Sequence, residues 1–206
     1  VRTRRPLAAY RRTVASPPSF HGAAAKRALE AGKHVLVEKP LATDVATGKA
    51  LVELARANKL TLACGHQERL VFQAMGLLDT PENPTRIESV REGPWTGRSA
   101  DVSVTLDLMV HDLDLALQLL GRKPEGVLAT ARSEKGKTAD CIEARLAFGG
   151  AEAVFISSRV AEARRRFMRA VYPSGEVNID FLTREFSNTT NFPPNAAFAE
   201  TRIGAD

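Results

Sequence analysis

The first third of the chain contains three short apolar runs, each ending at residues that stop a strand. The first run ends at Val14–Ser16, because the following Pro17-Pro18 pair has no backbone N–H to donate to a sheet ladder. The other two are Val35–Lys39 and Leu60–Cys64, which are rich in β-branched and apolar residues. Three strands, with Val35–Lys39 buried, are therefore predicted in this part of the chain.

Helical patterns separate these strands. The first helix is predicted from Ser19, a capping residue, to Gly32, which suits the left-handed conformation that follows many helices. The second begins at Thr43 or Asp44 and ends near Asn58, with an apolar stripe along one face. The order strand, helix, strand, helix, strand predicts a parallel sheet.

In the rest of the chain, the spacing of the apolar residues is different. Apolar residues recur at every second position around residues 142–148, 154–157 and 171–181, with glycine-containing turns between the runs. This spacing predicts an antiparallel sheet with one covered face. Three elements are predicted before it: helix Val71–Leu78, strand Arg86–Glu92 and helix Leu106–Leu120. The fold class is therefore α/β followed by α+β.

Composition excludes several classes of protein. The 206 residues are 44% hydrophobic and 26% charged, which is ordinary for a soluble globular protein. No apolar run approaches the roughly 20 residues of a membrane span, so no membrane partner is expected. Two cysteines, Cys64 and Cys141, give no disulfide framework and favour a cytoplasmic location. Cys64 and His66 lack a second ligand pair at metal-site spacing, so no metal is predicted.

The net charge of +5 comes from one terminal segment. Five of the 29 basic residues are arginines within residues 1–12, and the remaining 24 equal the 24 acidic residues. A nucleic-acid-binding surface would spread basic and aromatic residues over a folded face, so no nucleic acid is expected as partner. Residues 1–12 show no strand alternation and no helix cap, and we interpret them as an aberrant basic segment.

The second predicted strand ends in a group that suggests chemistry. Glu38 and Lys39 close the run, and Pro40 pushes the residue before it out of helical space, so the strand must finish at Lys39. An acid and an amine therefore lie at the carboxyl end of a parallel strand, where ligands bind in open α/β sheets. A solvated salt bridge is the alternative interpretation.

The predicted helix Leu106–Leu120 carries a second candidate group. Asp107, His111 and Asp114 recur at helical spacing and are predicted to share one face. The opposite face is a stripe of Leu106, Val110, Leu113, Leu117 and Leu120. An imidazole with a carboxylate one turn away suits general acid–base catalysis. A merely solvated helix face, or a metal site with Asp112, are the alternatives.

Together these segments resemble one protein family. They are Ser16-Pro17-Pro18-Ser19-Phe20-His21, Glu30–Ala42, Gly65-His66 and Asp107-x-x-x-His111-Asp112-x-Asp114. Their order and spacing over residues 13–185 resemble the glucose-fructose oxidoreductase/inositol dehydrogenase (Gfo/Idh/MocA) family. Within it, the segments Gly65–Arg69, Asp101–Val104 and Leu106–Asp112 are most similar to UDP-N-acetylglucosamine 3-dehydrogenases.

The resemblance implies oxidation of a hydroxyl of a sugar, cyclitol or nucleotide sugar by hydride transfer to NAD or NADP. It implies a partial Rossmann-like dinucleotide-binding domain over residues 13–67 and a substrate and oligomerisation domain over residues 68–188. Residues 189–206 are interpreted as a tail or arm. A homo-oligomer formed through the C-terminal sheet is the expected assembly.

Site residues are carried over by position. Lys39 would lie beside the nicotinamide and the reacting hydroxyl, and Glu38 would hold the lysine. His111 would be the general base, with Lys39 a second candidate for that role, and Asp107 would orient the imidazole or position substrate. The expected cofactor-binding residues are Ser16, Pro17, His21, Glu38, Lys39 and Gln67.

The sequence departs from the family at its beginning. Members start with a strand, a Gly-rich turn and a helix that hold the pyrophosphate, but no glycine precedes Gly22 here. We therefore expect an N-terminally truncated or frame-shifted chain with impaired activity. The alternatives are a non-catalytic remnant or interaction protein of the same fold, and an NAD-dependent glycoside hydrolase.

Overall fold

The protein folds into two compact units, described here by a computed structural model that covers residues 11–193. The first unit extends to His66 and the second begins at Gln67. The predictions for residues 1–10 and 194–206 lie outside the described residues. No helix in the described part is long and apolar enough to cross a membrane.

The first unit is the predicted βαβαβ arrangement with an all-parallel sheet in the order β1-β2-β3. Its strands are β1 (Arg11–Val14), β2 (His34–Glu38) and β3 (Leu62–Gly65), and its helices are α1 (Pro18–Glu30) and α2 (Val45–Ala57). Arg11 and Arg12 pair with β2, although both belong to the segment that the sequence led us to set aside.

Local signals explain the ends of these helices. Asp44 caps α2, since its carboxylate accepts the Thr47 N–H at 2.8 Å. Gly32 follows α1 with a φ of 70°, as its predicted left-handed role requires. Ser19 does not cap α1, because the helix already begins at Pro18, a residue that needs no N–H at the first helical position.

The sheet of the first unit is covered on one face. Helices α1 and α2 pack against each other, and right-handed crossovers that add strands in one direction place consecutive helices on the same side. Val35 and Val37 are buried beneath them, whereas Leu36 is 41% exposed. The prediction of a buried strand therefore holds for only one face of β2.

The second unit contains a seven-stranded sheet in the order β10-β9-β8-β4-β7-β6-β5. Its strands are β4 (Arg86–Glu92), β5 (Gly126–Arg132), β6 (Cys141–Ala147), β7 (Glu152–Ser158), β8 (Arg165–Tyr172), β9 (Gly175–Asp180) and β10 (Phe186–Asn188). Every pairing among these strands is antiparallel except β4 with β7, which confirms a largely antiparallel sheet.

Two helices supply the core of the second unit. They are α3 (Glu68–Ala74) and α4 (Val110–Leu120). Helix α3 begins three residues before the predicted Val71 and ends before Leu78. The largest buried side chains of this core come from the helices, from the sheet and from residues next to them: Phe72, Met75, Leu77, Ile87, Met109, Leu115, Phe148, Phe155, Met168 and Ile179.

The predicted helix Leu106–Leu120 is present, and only part of its predicted apolar stripe is buried: Leu120 lies in the core and Leu113 packs against it. Thr105–Met109 form a π-helical turn that precedes α4, and Gly121 ends α4 with a φ of 62° as expected. A π-helical turn holds more residues than an α-helical turn, so the helical phase shifts across it. Leu117 of the predicted stripe is 38% exposed, while the buried positions are Met109, Asp112, Asp114, Leu115, Ala116, Leu119 and Leu120.

The first residues of the predicted tail are packed rather than loose. The Thr189 N–H donates to the Glu176 carbonyl oxygen at 2.9 Å. Phe192 is 9% exposed and meets Tyr172 edge to face, with ring centroids 5.0 Å apart. These residues therefore belong to the second unit as far as the structure describes them.

Gly175, in the turn between β8 and β9, offers a test of this packing. Its φ is 156°, and a Cβ there would clash with the Thr189 carbonyl. Gly175→Ala should lower the free energy of unfolding by roughly 1–3 kcal/mol, as measured by urea denaturation. Gly48→Ala in α2 is the matched control and should raise it by about 1 kcal/mol, since helix propensity favours alanine and only Ala42 comes within 4.0 Å. An unchanged free energy of unfolding in Gly175→Ala would contradict the described turn.

Candidate functional site

The carboxyl ends of β2 and β3 meet at one edge of the first unit. Glu38 is the last residue of β2 and pairs in register with Gly65, the last residue of β3. Both Glu38 carboxylate oxygens lie 3.0 Å from the point that a Cβ on Gly65 would occupy. Lys39 follows at once, and the Lys39–Pro40 peptide bond is cis. The predicted acid and amine therefore lie at the edge where parallel sheets bind ligands.

His21 connects this edge to the end of β1. Its Nδ1 is 2.7 Å from the Pro40 carbonyl oxygen, and its Nε2 is 2.7 Å from the Ser16 carbonyl oxygen. Because both oxygens are acceptors, the ring donates to both only when both nitrogens carry a proton. His21 is 1% exposed, so its contacts are to backbone of the protein itself. Its predicted role in cofactor binding stays a prediction.

Ser16 and Pro17 form the turn from β1 into α1. Pro17 precedes the first residue of α1, and the Phe20 N–H donates to its carbonyl oxygen at 2.9 Å. The Ser16 hydroxyl oxygen is buried and has no hydrogen-bond partner among the described residues. An unpaired buried hydroxyl is costly, and a ligand atom at this strand end would satisfy it.

In the second unit, His111 lies beside a carboxylate that the sequence did not predict. His111 Nδ1 is 2.8 Å from Glu68 Oε2, and the two side chains are 11% and 12% exposed. The oxygen lies off the direction of the ring N–H, so the contact is an ion-pair approach rather than a well-aligned hydrogen bond. Glu68 occupies the first turn of α3, and Gln67, a predicted cofactor contact, immediately precedes it.

Arg91 holds Glu68 in this position. Its Nη1 donates to Glu68 Oε1 at 2.9 Å, while Nε and Nη2 donate to the two oxygens of Asp112 at 2.9 and 2.8 Å. Arg91 and Asp112 are 3% and 2% exposed. A single guanidinium on β4 therefore joins α3 to α4, and the five donors of arginine allow this forked arrangement.

Of the three polar residues predicted to share a helix face, Asp114 is paired with Arg69 of α3 and is 9% exposed. Asp107 belongs to the π-helical turn, and its backbone N–H donates to the Ser103 carbonyl oxygen at 3.0 Å. The carboxylate that the structure places beside His111 is that of Glu68. The role predicted for Asp107 stays a prediction.

The pKa of Glu68 is set by burial and by the neighbouring His111 and Arg91. Burial alone would raise the pKa of this carboxyl, but the contact with His111 and the charge of Arg91 outweigh burial and lower it to about 2. Glu68 is therefore a carboxylate at neutral pH. A carboxylate next to Nδ1 favours the tautomer with the proton on Nδ1, which leaves Nε2 able to accept a proton.

No group of three or more metal-ligating side chains is present among residues 11–193. The alternative metal site with Asp112 lacks support in the geometry, because Asp112 gives both its oxygens to Arg91. Neither Cys64 nor Cys141 forms a disulfide within the described residues.

Arg91→Met tests how much the second unit depends on this ion cluster. The change would leave Glu68 and Asp112 buried without their shared cation, so the free energy of unfolding should fall by about 3–5 kcal/mol. Urea denaturation at neutral pH measures the loss. Arg165→Met is the matched control: Arg165 is 62% exposed and 3.5 Å from Glu92, so its loss should cost at most about 1 kcal/mol. Equal losses in the two variants would refute a special role for Arg91.

Stability should also depend on pH through Glu68. Its pKa in the folded protein lies below the ordinary 4.5, so its contribution is present above about pH 4.5 and is lost as the pH falls towards about 2. This contribution is at most about 3 kcal/mol, since one pKa unit corresponds to about 1.4 kcal/mol. Glu68→Gln should flatten the pH dependence of the unfolding free energy in this window. Parallel curves for the two proteins would contradict the assignment.

Comparison with known proteins gives the same two-part division. A family model described as oxidoreductase family, NAD-binding Rossmann fold, matches residues 12–66. A second, for the Gfo/Idh/MocA C-terminal domain, matches residues 74–177.

Individual relatives agree with these models. A UDP-N-acetylglucosamine 3-dehydrogenase of Acidithiobacillus ferrooxidans is 36% identical over 173 residues, which are 82% of this chain and 55% of that protein. Its solved structure has a TM-score of 0.78 at 34% identity and covers 84% of this chain and 58% of that one. An inositol dehydrogenase homologue of Azotobacter vinelandii, solved with NADH and myo-inositol, shares the fold with a TM-score of 0.77 at 20% identity, over 89% of this chain and 54% of that one.

The chain spans about half the length of the curated relatives that it matches. Both of its units nevertheless match the corresponding family models, and the resemblance seen in the sequence motifs is confirmed. The chain belongs to the Gfo/Idh/MocA family of NAD-binding oxidoreductases.

Proposed function

We propose that the protein is an NAD(P)-dependent dehydrogenase that oxidises a hydroxyl group of a sugar, cyclitol or nucleotide sugar. The observation that carries the proposal is the buried Glu68–His111 pair in a chain of this family. Alcohol oxidation requires a group that takes the hydroxyl proton as the carbon loses hydride. His111 suits this task because its Nδ1 faces a carboxylate and its Nε2 can accept a proton.

The residues at the strand ends of the first unit fit a dinucleotide. Ser16 presents a buried hydroxyl without a partner, and Glu38 and Lys39 lie at the carboxyl edge of the sheet. Ser16, Pro17, Lys39 and Gln67 are proposed to contact the cofactor. When bound, its nicotinamide ring supplies the hydride acceptor.

Lys39 and His111 are proposed to serve the same reaction. The ammonium of Lys39 stabilises negative charge that develops on the hydroxyl oxygen, and His111 removes the proton. Glu38 positions the strand end through its approach to Gly65, and His21 fixes the following Pro40 carbonyl. Asp107 is proposed to position substrate, since Glu68 already lies beside the ring.

A homo-oligomer through the second unit's sheet is also proposed. Exposed apolar residues on its strands support this assembly, among them Val127 at 65%, Leu128 at 70% and Ile156 at 38% exposure.

Calorimetric titration of this polypeptide with NADH, and separately with NADPH, is the first test. We expect detectable binding of at least one of the two cofactors below millimolar concentration. No heat up to millimolar concentrations of either would instead favour the non-catalytic remnant. Released sugar from glycosides in the presence of NAD would favour the glycoside hydrolase.

His111→Asn tests the chemical step. With a saturating cofactor and a panel of sugars, cyclitols and nucleotide sugars, kcat should fall by about 10²–10⁴-fold because the proton acceptor is lost. The measurement is the absorbance of reduced nicotinamide. His34→Asn is the matched control, since His34 begins β2 at the end opposite Glu38 and only accepts the Thr61 N–H at 2.9 Å. An unchanged kcat in His111→Asn would refute the assignment of the base.

A further inference from the structure

Arg166 lies near Glu68 but does not form an ion pair with it. Arg166 on β8 is the register partner of Arg91 on β4. Residues opposite each other in an antiparallel pair project from the same face of the sheet. Arg91 projects towards the helices, because it binds Glu68 and Asp112. Arg166 therefore lies on the sheet face that carries the acid–base pair.

Arg166 differs from the other arginines of this sheet in lacking a carboxylate partner. Arg165 pairs with Glu92 at 3.5 Å, and Arg169 pairs with Glu176 at 2.5 Å. Within residues 11–193, no carboxylate oxygen lies within 4.0 Å of the guanidinium of Arg166 or of Arg164. Arg166 is nevertheless half-buried.

The electrostatic surroundings of Arg166 are mixed. Burial lowers the pKa of this guanidinium, and the positive charges of Arg91 and Arg164 act in the same direction, against the opposing effect of Glu68 and Asp112. Arginine remains charged at neutral pH even so. Arg91 donates to both carboxylate oxygens of Asp112 and to Oε1 of Glu68, and Arg166 donates to neither residue. The donors of Arg166 are thus available to a further acceptor, and a partly desolvated cation gains most from an anionic one.

We propose that Arg166, assisted by Arg164, binds an anionic group of the substrate, either a phosphate or a carboxylate. The inference rests on the proposed function, because the Glu68–His111 pair would act on a hydroxyl of the same molecule. Among the candidate substrates it selects sugars that carry a negative charge over neutral sugars and cyclitols. Arg164 lies close to β4, with its Cγ 3.4 Å from the position of a Cβ on Gly93.

Ligand titration without cofactor tests the proposal separately from the oxidoreductase activity. The probes are UDP for a diphosphate and D-glucuronate for a carboxylate, with uridine and D-glucose as their neutral counterparts. At least one anionic probe should bind more tightly than its neutral counterpart, and the one that does identifies the anion. Charge-assisted hydrogen bonds correspond to affinity differences of about ten-fold or more.

Arg166→Gln should weaken binding of that probe at least about ten-fold. Arg166→Lys keeps the charge and should restore part of the affinity. Arg165→Gln is the matched control: it removes the same charge one residue away on the opposite face and should change affinity less than about two-fold. Thermal unfolding of each variant confirms that it is folded. If Arg166→Gln does not fold, probe binding to Arg164→Gln tests the proposal instead.

Three results would overturn the proposal. The first is that UDP binds no more tightly than uridine and D-glucuronate no more tightly than D-glucose. Equal losses in Arg166→Gln and Arg165→Gln would indicate a general charge effect. If Arg166→Gln lowers the thermal stability but leaves probe binding unchanged, the role of Arg166 is to balance the charges of Glu68 and Asp112. NADH titration of the same variants should match the unaltered chain, so failure of cofactor binding remains a separate result.

Discussion

The second unit depends on one buried cation. Arg91 binds Glu68 of α3 and Asp112 of α4 from the central strand β4, at a site almost closed to water. Burying three charged groups is favourable only when their hydrogen bonds are well made, so the positions of both helices on the sheet are tightly restricted. The same bonds fix the Glu68 carboxylate next to His111. The packing of the core and the placement of the acid–base pair therefore have a common physical cause.

In the first unit, the geometry of the candidate site follows from the direction of the parallel strands. Parallel pairing brings the ends of β2 and β3 together, and the absence of a side chain on Gly65 leaves room for the Glu38 carboxylate. His21 then joins two backbone carbonyls that follow different strands. These are consequences of local sequence: a strand, a proline and a glycine at fixed positions. Such an edge presents side chains and unpaired backbone groups to a ligand.

This difference explains what the sequence could predict. The ends of β1 at Val14 and of β2 at Glu38, and the capping of α2 by Asp44, follow from neighbouring residues, so the sequence predicts them to within about two residues. Glu68 was missed because its contacts with Arg91 and His111 join three separate elements, and no periodicity links them. The buried face of α4 was only partly predicted, because Asp112 and Asp114 are buried through ion pairs with Arg91 and Arg69, which a pattern of apolar residues does not show.

Charge balance links the acid–base pair to substrate choice. Arg91 carries one positive charge against the two negative charges of Glu68 and Asp112, so the cluster alone is anionic, and Arg166 lies close enough to offset it. An anionic substrate group held by Arg166 would partly cancel that offset. A neutral sugar, by contrast, would leave the guanidinium of Arg166 without a counter-charge at a partly desolvated site. The charge of the substrate and the charge of the cluster around Arg91 are therefore coupled through Arg166.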